Sequence, residues 1–247
     1  MPAAYKQIRA KRDTPLFVFG DHASRFIPDT YDNLGLSGDD LTRHIAWDIG
    51  TDKVIQTICA HFGCGGQVAG VSRLVIDLNR DVSMDSLIPV TSDGTKIPGN
   101  QKLSNSERQA RIDDYHTPYH TALTKAVDKI VDPLVVSVHS FTPETQLGDI
   151  RLVDIGLLVK HDIESAKAYR DMFMRLGHNF TIGMNEPYSA YDLNYTIDHL
   201  AGETGLRHLA VEINQRHIDT NKKAEHIGRI LADRLEPLVY RTFDPID

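Results

Sequence analysis

The sequence predicts an α/β sandwich, with helices on both faces of a largely parallel or mixed sheet. Short apolar runs recur along the 247 residues, several of them continuous, as in strands buried on both faces. Segments with apolar residues at helical spacing separate these runs, and that alternation is the pattern of helices layered over a central sheet. With 41% hydrophobic residues and no repeat or low-complexity linker, one domain spanning residues 1–247 is expected.

The expected strands are residues 16–19, 66–69, 74–78, 134–139, 154–159 and 208–213. A first helix should cover about 38–62, opened by Ser37 with Asp40 three residues later, a capping-box pattern. Further helices should cover about 105–131, 163–176, 194–202 and 221–239. Residues 81–99, with Pro89, Pro98 and the Asp93-Gly94 turn, read as a long irregular loop, and such loops in compact domains usually serve function or are disordered.

Charge narrows the partners. A net charge of −7 and a pI near 5.9, with no separate Lys/Arg-rich block, give no footprint for nucleic acid or an anionic membrane. No apolar run approaches the roughly 20 residues of a membrane span. The opening MPAAYKQIRAKRD has basic residues but no apolar core behind them, so no signal peptide is expected and a cytoplasmic setting is favoured. Cys59 and Cys64 are too few for a disulfide scaffold and fit a reduced compartment. The twelve histidines matter for where they fall.

Ligands of open α/β sheets gather where strands end at their carboxyl edge. Four expected strand ends carry polar residues: Asp21, His22, Ser24 and Arg25 after the first; Asn79 and Arg80 after 74–78; His139 and Ser140; and Glu212 with Asn214. Imidazoles, carboxylates and guanidiniums at one edge form the inventory of a metal hydrolase. Zn²⁺ takes His nitrogen and carboxylate oxygen, and a nearby carboxylate can carry protons. A third ligand should come from the helix after His22. There His44 and Asp48 are four apart on one face, so the same pair also reads as an ordinary helix-surface contact. His116 and His120 have the same spacing, but Pro118 lies between them and no His-Glu-x-x-His carboxylate accompanies them. His120 is kept as a substrate contact, beside a structural role. Ser24 and Ser140 lack the glycine-flanked elbow of a nucleophilic serine.

The segments D-H-A-S-R-F-I-P, H-I-A-W-D-I-G, S-R-L-V-I-D-L-N-R, S-D-G-T-K-I-P-G-N, S-V-H-S-F-T-P, N-E-P-Y-S-A and V-E-I-N-Q-R-H-I follow the order and wording of the N-formylglutamate amidohydrolase family, which the chain resembles from about Phe17 to Ile218. More distantly, D-L-N-R and S-x-H-S are similar to segments of aspartoacylase, succinylglutamate desuccinylase and the zinc carboxypeptidases. The resemblance implies a three-layer α/β sandwich around a mixed sheet, a zinc cofactor and a small acidic N-acyl amino acid as substrate. It also implies that His22 and His139 bind zinc, that Asn79 and Arg80, with Arg73 beside them, meet the substrate carboxylate and the polarised carbonyl, which makes Arg80 catalytic as well as substrate-binding, and that Glu212 is general base and acid. Asn185, in N-E-P-Y-S-A, a segment expected to shape the pocket, is expected to bind substrate.

One element does not transfer. Where the relatives place a second ligand, a glutamate three residues after the first histidine, this chain has Arg25. A cation cannot ligate zinc. Asp48 is the expected replacement, with Asp21 and Asp77 as alternatives. Hydrolysis of N-formyl-L-glutamate to formate and L-glutamate is the leading expectation. A zinc amidohydrolase or peptidase for another N-acyl amino acid or peptide end, and a metal-free binding homologue, stand beside it.

Overall fold

The computed structural model describes residues 3–145, 147–177, 179–191, 194–202 and 205–242. The strands are β1 (Tyr5–Ile8), β2 (Leu16–Gly20), β3 (Gly65–Ala69), β4 (Thr91–Ser92), β5 (Thr95–Lys96), β6 (Leu134–Phe141), β7 (Ile155–Leu158), β8 (Ile182–Met184) and β9 (Arg207–Asn214). The helices are α1 (Thr51–Phe62), α2 (Asn105–Arg111), α3 (Thr117–Val127), α4 (Ile163–Leu176), α5 (Tyr195–Ala201) and α6 (Asn221–Val239). Among the described residues, seven strands form one sheet in the order β1-β3-β2-β6-β9-β7-β8. The strands β3, β2, β6 and β9 run parallel, while β1 and β7 lie antiparallel to their inner neighbours.

The central strands are apolar throughout because both of their faces are covered. Leu16 and Val18 of β2, Leu134, Val136 and Val138 of β6, and Leu209, Val211 and Ile213 of β9 enter one core, closed by Ile55 and Ile58 of α1, Phe173 of α4 and Leu231 of α6. The alternate residues Phe17, Phe19, Val135 and Ala210 enter a second core with Leu123 of α3, Ile197 of α5 and the run from Leu74 to Leu78. The three-layer mixed sandwich expected from the sequence is present. Helices α4 and α6 begin and end where the apolar spacing puts them.

Three local expectations change. The run 74–78 is not a strand: it folds as buried turns in the second core, with Val75 N donating to Ser72 O (2.9 Å) and Asp77 N to Leu87 O (2.7 Å). Side chains satisfy carbonyls that a sheet neighbour would otherwise take, because buried backbone groups need partners. Asn100 Nδ2 donates to Leu74 O (2.8 Å), Arg111 Nη1 to Val75 O (2.8 Å), and His120 Nε2 bonds Leu78 O (2.9 Å). A continuous apolar run reports burial, and here burial came without a ladder.

The helix expected over 38–62 is helical only in a short 3₁₀ turn, Asp40–Thr42, and in α1. Ser37 and Asp40 do bond each other reciprocally, but they open only that turn. Gly50, at φ +86°, stops the helix, and a Cβ there would lie 2.2 Å from Ile218 O. The residues between therefore wrap as irregular chain, and Asp48 N donates to His22 O (2.8 Å).

The helical region 105–131 contains a wide π turn, Ile112–His116, between α2 and α3. Pro118 falls in the first turn of α3, where a missing N–H costs nothing. His116 and His120 consequently do share a face, with ring centroids 4.4 Å apart. Strands β1 and β8 had no apolar run long enough to be anticipated. In the loop 81–99, β4 and β5 form a small hairpin turning through Asp93 (φ +46°) and Gly94 (φ +73°), the left-handed pair that a tight hairpin requires.

Candidate active site

The edge where β2, β6 and β9 end lines a cavity of about 390 Å³. His22 leaves β2, His139 lies in β6, and Glu212 in β9 stands directly beside His139 in the sheet register. Asp48 arrives from the irregular chain before α1, and His22, Asp48 and His139 are all buried, each offering a ligand atom within 4.8 Å of the others. Asp48 Oδ2 lies 3.0 Å from His139 Nδ1 and 3.5 Å from His22 Nδ1. His22 Nδ1 is buried and has no hydrogen-bond partner, as expected of a nitrogen aimed at something other than protein.

A second carboxylate backs each imidazole. His22 Nε2 lies 2.7 Å from Asp77 Oδ1, and His139 Nε2 lies 3.4 Å from Asp21 Oδ2. Carboxylates behind histidine fix the ring orientation and raise the basicity of the opposite nitrogen, the usual arrangement behind a metal-binding histidine. Asp77 is itself held by Arg73 Nη2 (3.0 Å) and by Asn79 N (3.0 Å), and Arg73 Nη1 also reaches Asp48 Oδ1 (3.3 Å). Asp21 accepts from Thr196 Oγ1 (3.1 Å). The alternatives for the third ligand thus stand behind the histidines, and Asp48 stands between them.

Electrostatics separate the carboxylates. Burial pushes Asp48 and Asp77 up, but His22 and Arg73, joined by His139 at Asp48, outweigh it and hold both carboxyls well below their usual range. Glu212 has no such neighbour in contact: burial pushes it up to about 7, Asp48 adds to the shift, and His139, His22 and Arg73 oppose it. Its Oε2 is buried without a partner. One carboxylate of the group can therefore gain and lose a proton near neutrality while its neighbours stay ionised.

The other expected residues divide. Arg73, Asn79 and Arg80 line the cavity. Asn79 Oδ1 accepts from Thr196 N (3.0 Å), and the chain at Leu78 and Arg80 is gripped by His120 and by His116, whose Nε2 lies 2.9 Å from Arg80 O. His120 does not line this cavity, so its expected substrate contact is corrected: its Nε2 is committed to Leu78 O, and it holds the loop that carries Asn79 and Arg80. Asn185 is corrected likewise. At φ +54° its Oδ1 accepts from Val159 N (2.9 Å) and Ala190 N (3.2 Å), while its Nδ2 donates to Val159 O (2.9 Å). It staples the segment that brings Tyr188 to the cavity, and Gly156 admits that segment, since a Cβ there would meet Glu186 O at 2.1 Å. The reading of His44 and Asp48 as a helix-face pair fails, because no helix runs there. His44 turns to Asp93 (3.0 Å) at the cavity rim.

Arg151, Tyr188 and Gln215 also line the cavity, and sequence reasoning missed them. No local pattern marks Arg151. Tyr188 and Gln215 lie inside quoted family segments, which was the signal available.

A buried two-histidine, one-aspartate centre beside a carboxylate that titrates near neutrality is the equipment of a hydrolase. Residues 14–218 match the model of the family described as N-formylglutamate amidohydrolase, and the chain belongs to that family, whose members hydrolyse a linear amide. No curated protein matches the sequence. Among solved structures, the gene product Atu2144 from Agrobacterium tumefaciens is 30% identical, over 97% of this chain and 96% of that one, with a TM-score of 0.92. The N-formylglutamate amidohydrolase from Ralstonia eutropha JMP134 is 20% identical over 98% of this chain and 99% of that one, with a TM-score of 0.78, a likeness of fold.

Proposed function

We propose that the protein is a zinc-dependent amidohydrolase that converts N-formyl-L-glutamate to formate and L-glutamate. The observation that carries this reading is the convergence of His22 Nδ1, Asp48 Oδ2 and His139 Nδ1 beside the raised carboxyl of Glu212. The donor set fits zinc: two imidazole nitrogens, one carboxylate oxygen, an orphaned buried Nδ1, and a carboxylate behind each ring. Zinc held there supplies a Lewis acid and lowers the pKa of water toward neutrality.

The chain's own residues supply the rest. Glu212, whose buried Oε2 has no hydrogen-bond partner and whose carboxyl burial pushes up, takes a proton from the attacking water and returns it to the leaving nitrogen. Arg80, whose Nη1 donates to its neighbour's carbonyl, Asn79 O (2.8 Å), presents its guanidinium to a substrate carboxylate. Asn79, with its Oδ1 fixed by Thr196 N, is left with its amide N–H groups for the substrate or the developing oxyanion. Arg73 is occupied by Asp48 and Asp77, so its part is to hold those two carboxylates.

The missing glutamate after His22 does not favour the metal-free reading. Arg25 is exposed, 5.5 Å over the Trp47 ring, and Asp48 provides the absent carboxylate from another direction. The test is release of formate and free amino acid from a panel of N-formyl, N-acetyl and N-succinyl amino acids. Turnover of N-formyl-L-glutamate above the rest is expected. Turnover of another acyl group with none of a formyl compound overturns the substrate.

A further inference from the structure

Three guanidiniums line the cavity, and they differ in what they hold. Arg73 is paired with two carboxylates. Arg80 and Arg151 pair with no carboxylate among the described residues, although Glu144 lines the same wall as Arg151. Arg151 is held instead by neutral groups: Nη1 donates to Thr142 O (3.2 Å) and Thr142 Oγ1 (3.0 Å), and its guanidinium lies 5.0 Å over the Tyr188 ring and 5.7 Å from that of Phe141. Such a cation is fixed in place, stacked on an aromatic wall, and open to an anion.

Arg80 and Arg151 come from opposite flanks of the sheet edge. Arg80 follows Asp77, which bonds His22 at the end of β2, whereas Arg151 lies four residues before β7. Strand order puts β6 with His139 and β9 with Glu212 between those flanks, and three strand spacings amount to about 14 Å before either side chain reaches inward. Tyr188 belongs to the second flank: it lines the cavity, and its ring lies under the Arg151 guanidinium.

We infer that Arg151 selects the substrate's second carboxylate, the one at the end of the side chain, while Arg80 binds the one next to the scissile amide. This rests on the amidohydrolase reading above, but its test does not need hydrolysis. L-Glutamate and L-glutamine differ only in the group assigned to Arg151.

Calorimetric titration of the zinc-loaded protein with each should show glutamate bound more tightly. Arg151→Met should shrink that preference roughly 10- to 100-fold, the usual worth of a charge-assisted hydrogen bond. Arg151→Lys should restore part of it, which separates lost charge from a disturbed wall. The same shift should appear in kcat/KM for N-formylglutamate against N-formylglutamine. Equal binding of the two amino acids by the native protein, or an unchanged preference in Arg151→Met, overturns the assignment. A native protein that prefers glutamate through Arg151 yet hydrolyses no N-formyl compound sinks the proposed substrate and leaves the assignment standing.

Discussion

Asp48 Oδ2 lies 3.0 Å from His139 Nδ1, although 91 residues separate the two in the chain. Ser140 N also points at the same oxygen (3.3 Å), so the carboxylate is steered by strand β6 rather than by a helix of its own. Removing it should leave two imidazoles without the charge between them. Asp48→Asn is expected to lower zinc affinity by at least 100-fold, with the fold retained by circular dichroism. Metal analysis of the purified variant checks this, and a full zinc complement in Asp48→Asn contradicts the ligand assignment.

The carboxylates behind the histidines should matter less, but measurably. Asp77→Asn withdraws the negative partner 2.7 Å from His22 Nε2 and one of the two anchors of Arg73. A 10- to 100-fold fall in zinc affinity is expected, the usual effect of losing such a partner. Competition with a chelator of known affinity measures it, and an unchanged constant would show that His22 is not oriented through Asp77.

Glu212 gives the pH dependence its sign. The base works deprotonated, and burial pushes its carboxyl up to about 7 in the metal-free protein. A bound cation favours the ionised form and moves that midpoint down. In the zinc enzyme kcat/KM should therefore fall on the acid side, tenfold per pH unit, with a midpoint between the ordinary carboxylate range and about 7. Glu212→Gln should keep zinc and lose turnover by roughly 10²- to 10⁴-fold. Near-normal turnover in that variant removes Glu212 from the mechanism.

A separate effect of pH falls on stability. Burial, with His116 adding to it, lowers His120 to about 4, while the same side chain unfolded titrates near 6.5. The folded pKa is the lower one, so the unfolded state binds more protons between those values. The stabilising contribution of neutral His120 is complete above about 6.5 and is lost as pH falls through 4, on the order of 3 kcal/mol in all. His120→Gln keeps a donor for Leu78 O and does not titrate. Its melting temperature should fall less steeply than that of the native protein between pH 6.5 and 4, and parallel curves would refute the account.

The buried turns at 74–78 depend on side chains from elsewhere. Asn100 Nδ2 serves both Leu74 O (2.8 Å) and Pro89 O (2.7 Å) from a fully buried position. Asn100→Ala leaves the buried Leu74 O and the half-buried Pro89 O short of a donor and should cost about 1–3 kcal/mol. Urea unfolding at neutral pH measures it, and a loss below 0.5 kcal/mol, on the order of a surface substitution, would mean that the loop finds other partners.

The sheet was legible because β2, β6 and β9 are buried on both faces and their apolar runs have no other use. Helices α4 and α6 were legible because each has a capped start and one apolar stripe. The segment Leu74 to Leu78 was misread as a strand because a continuous apolar run reports burial alone, and the donors that replace a ladder lie 26 to 42 residues away. The same distance hides the site. His22, His139 and Glu212 could be proposed from strand ends and a family resemblance. Asp48 was named for a helix that Gly50 forbids, and reached the centre by another path. Arg151 carries no local signal, since its meaning comes from the ring of Tyr188 and from the carboxylates it lacks.

Every step proposed for amide hydrolysis depends on one zinc ion held by His22, Asp48 and His139. Zinc titration of chelator-stripped protein, with formate release from N-formyl-L-glutamate followed at each addition, tests it most directly. Activity should rise linearly and saturate at one zinc per chain. Full activity in stripped protein, or no tight zinc binding together with no response to added zinc, would contradict it.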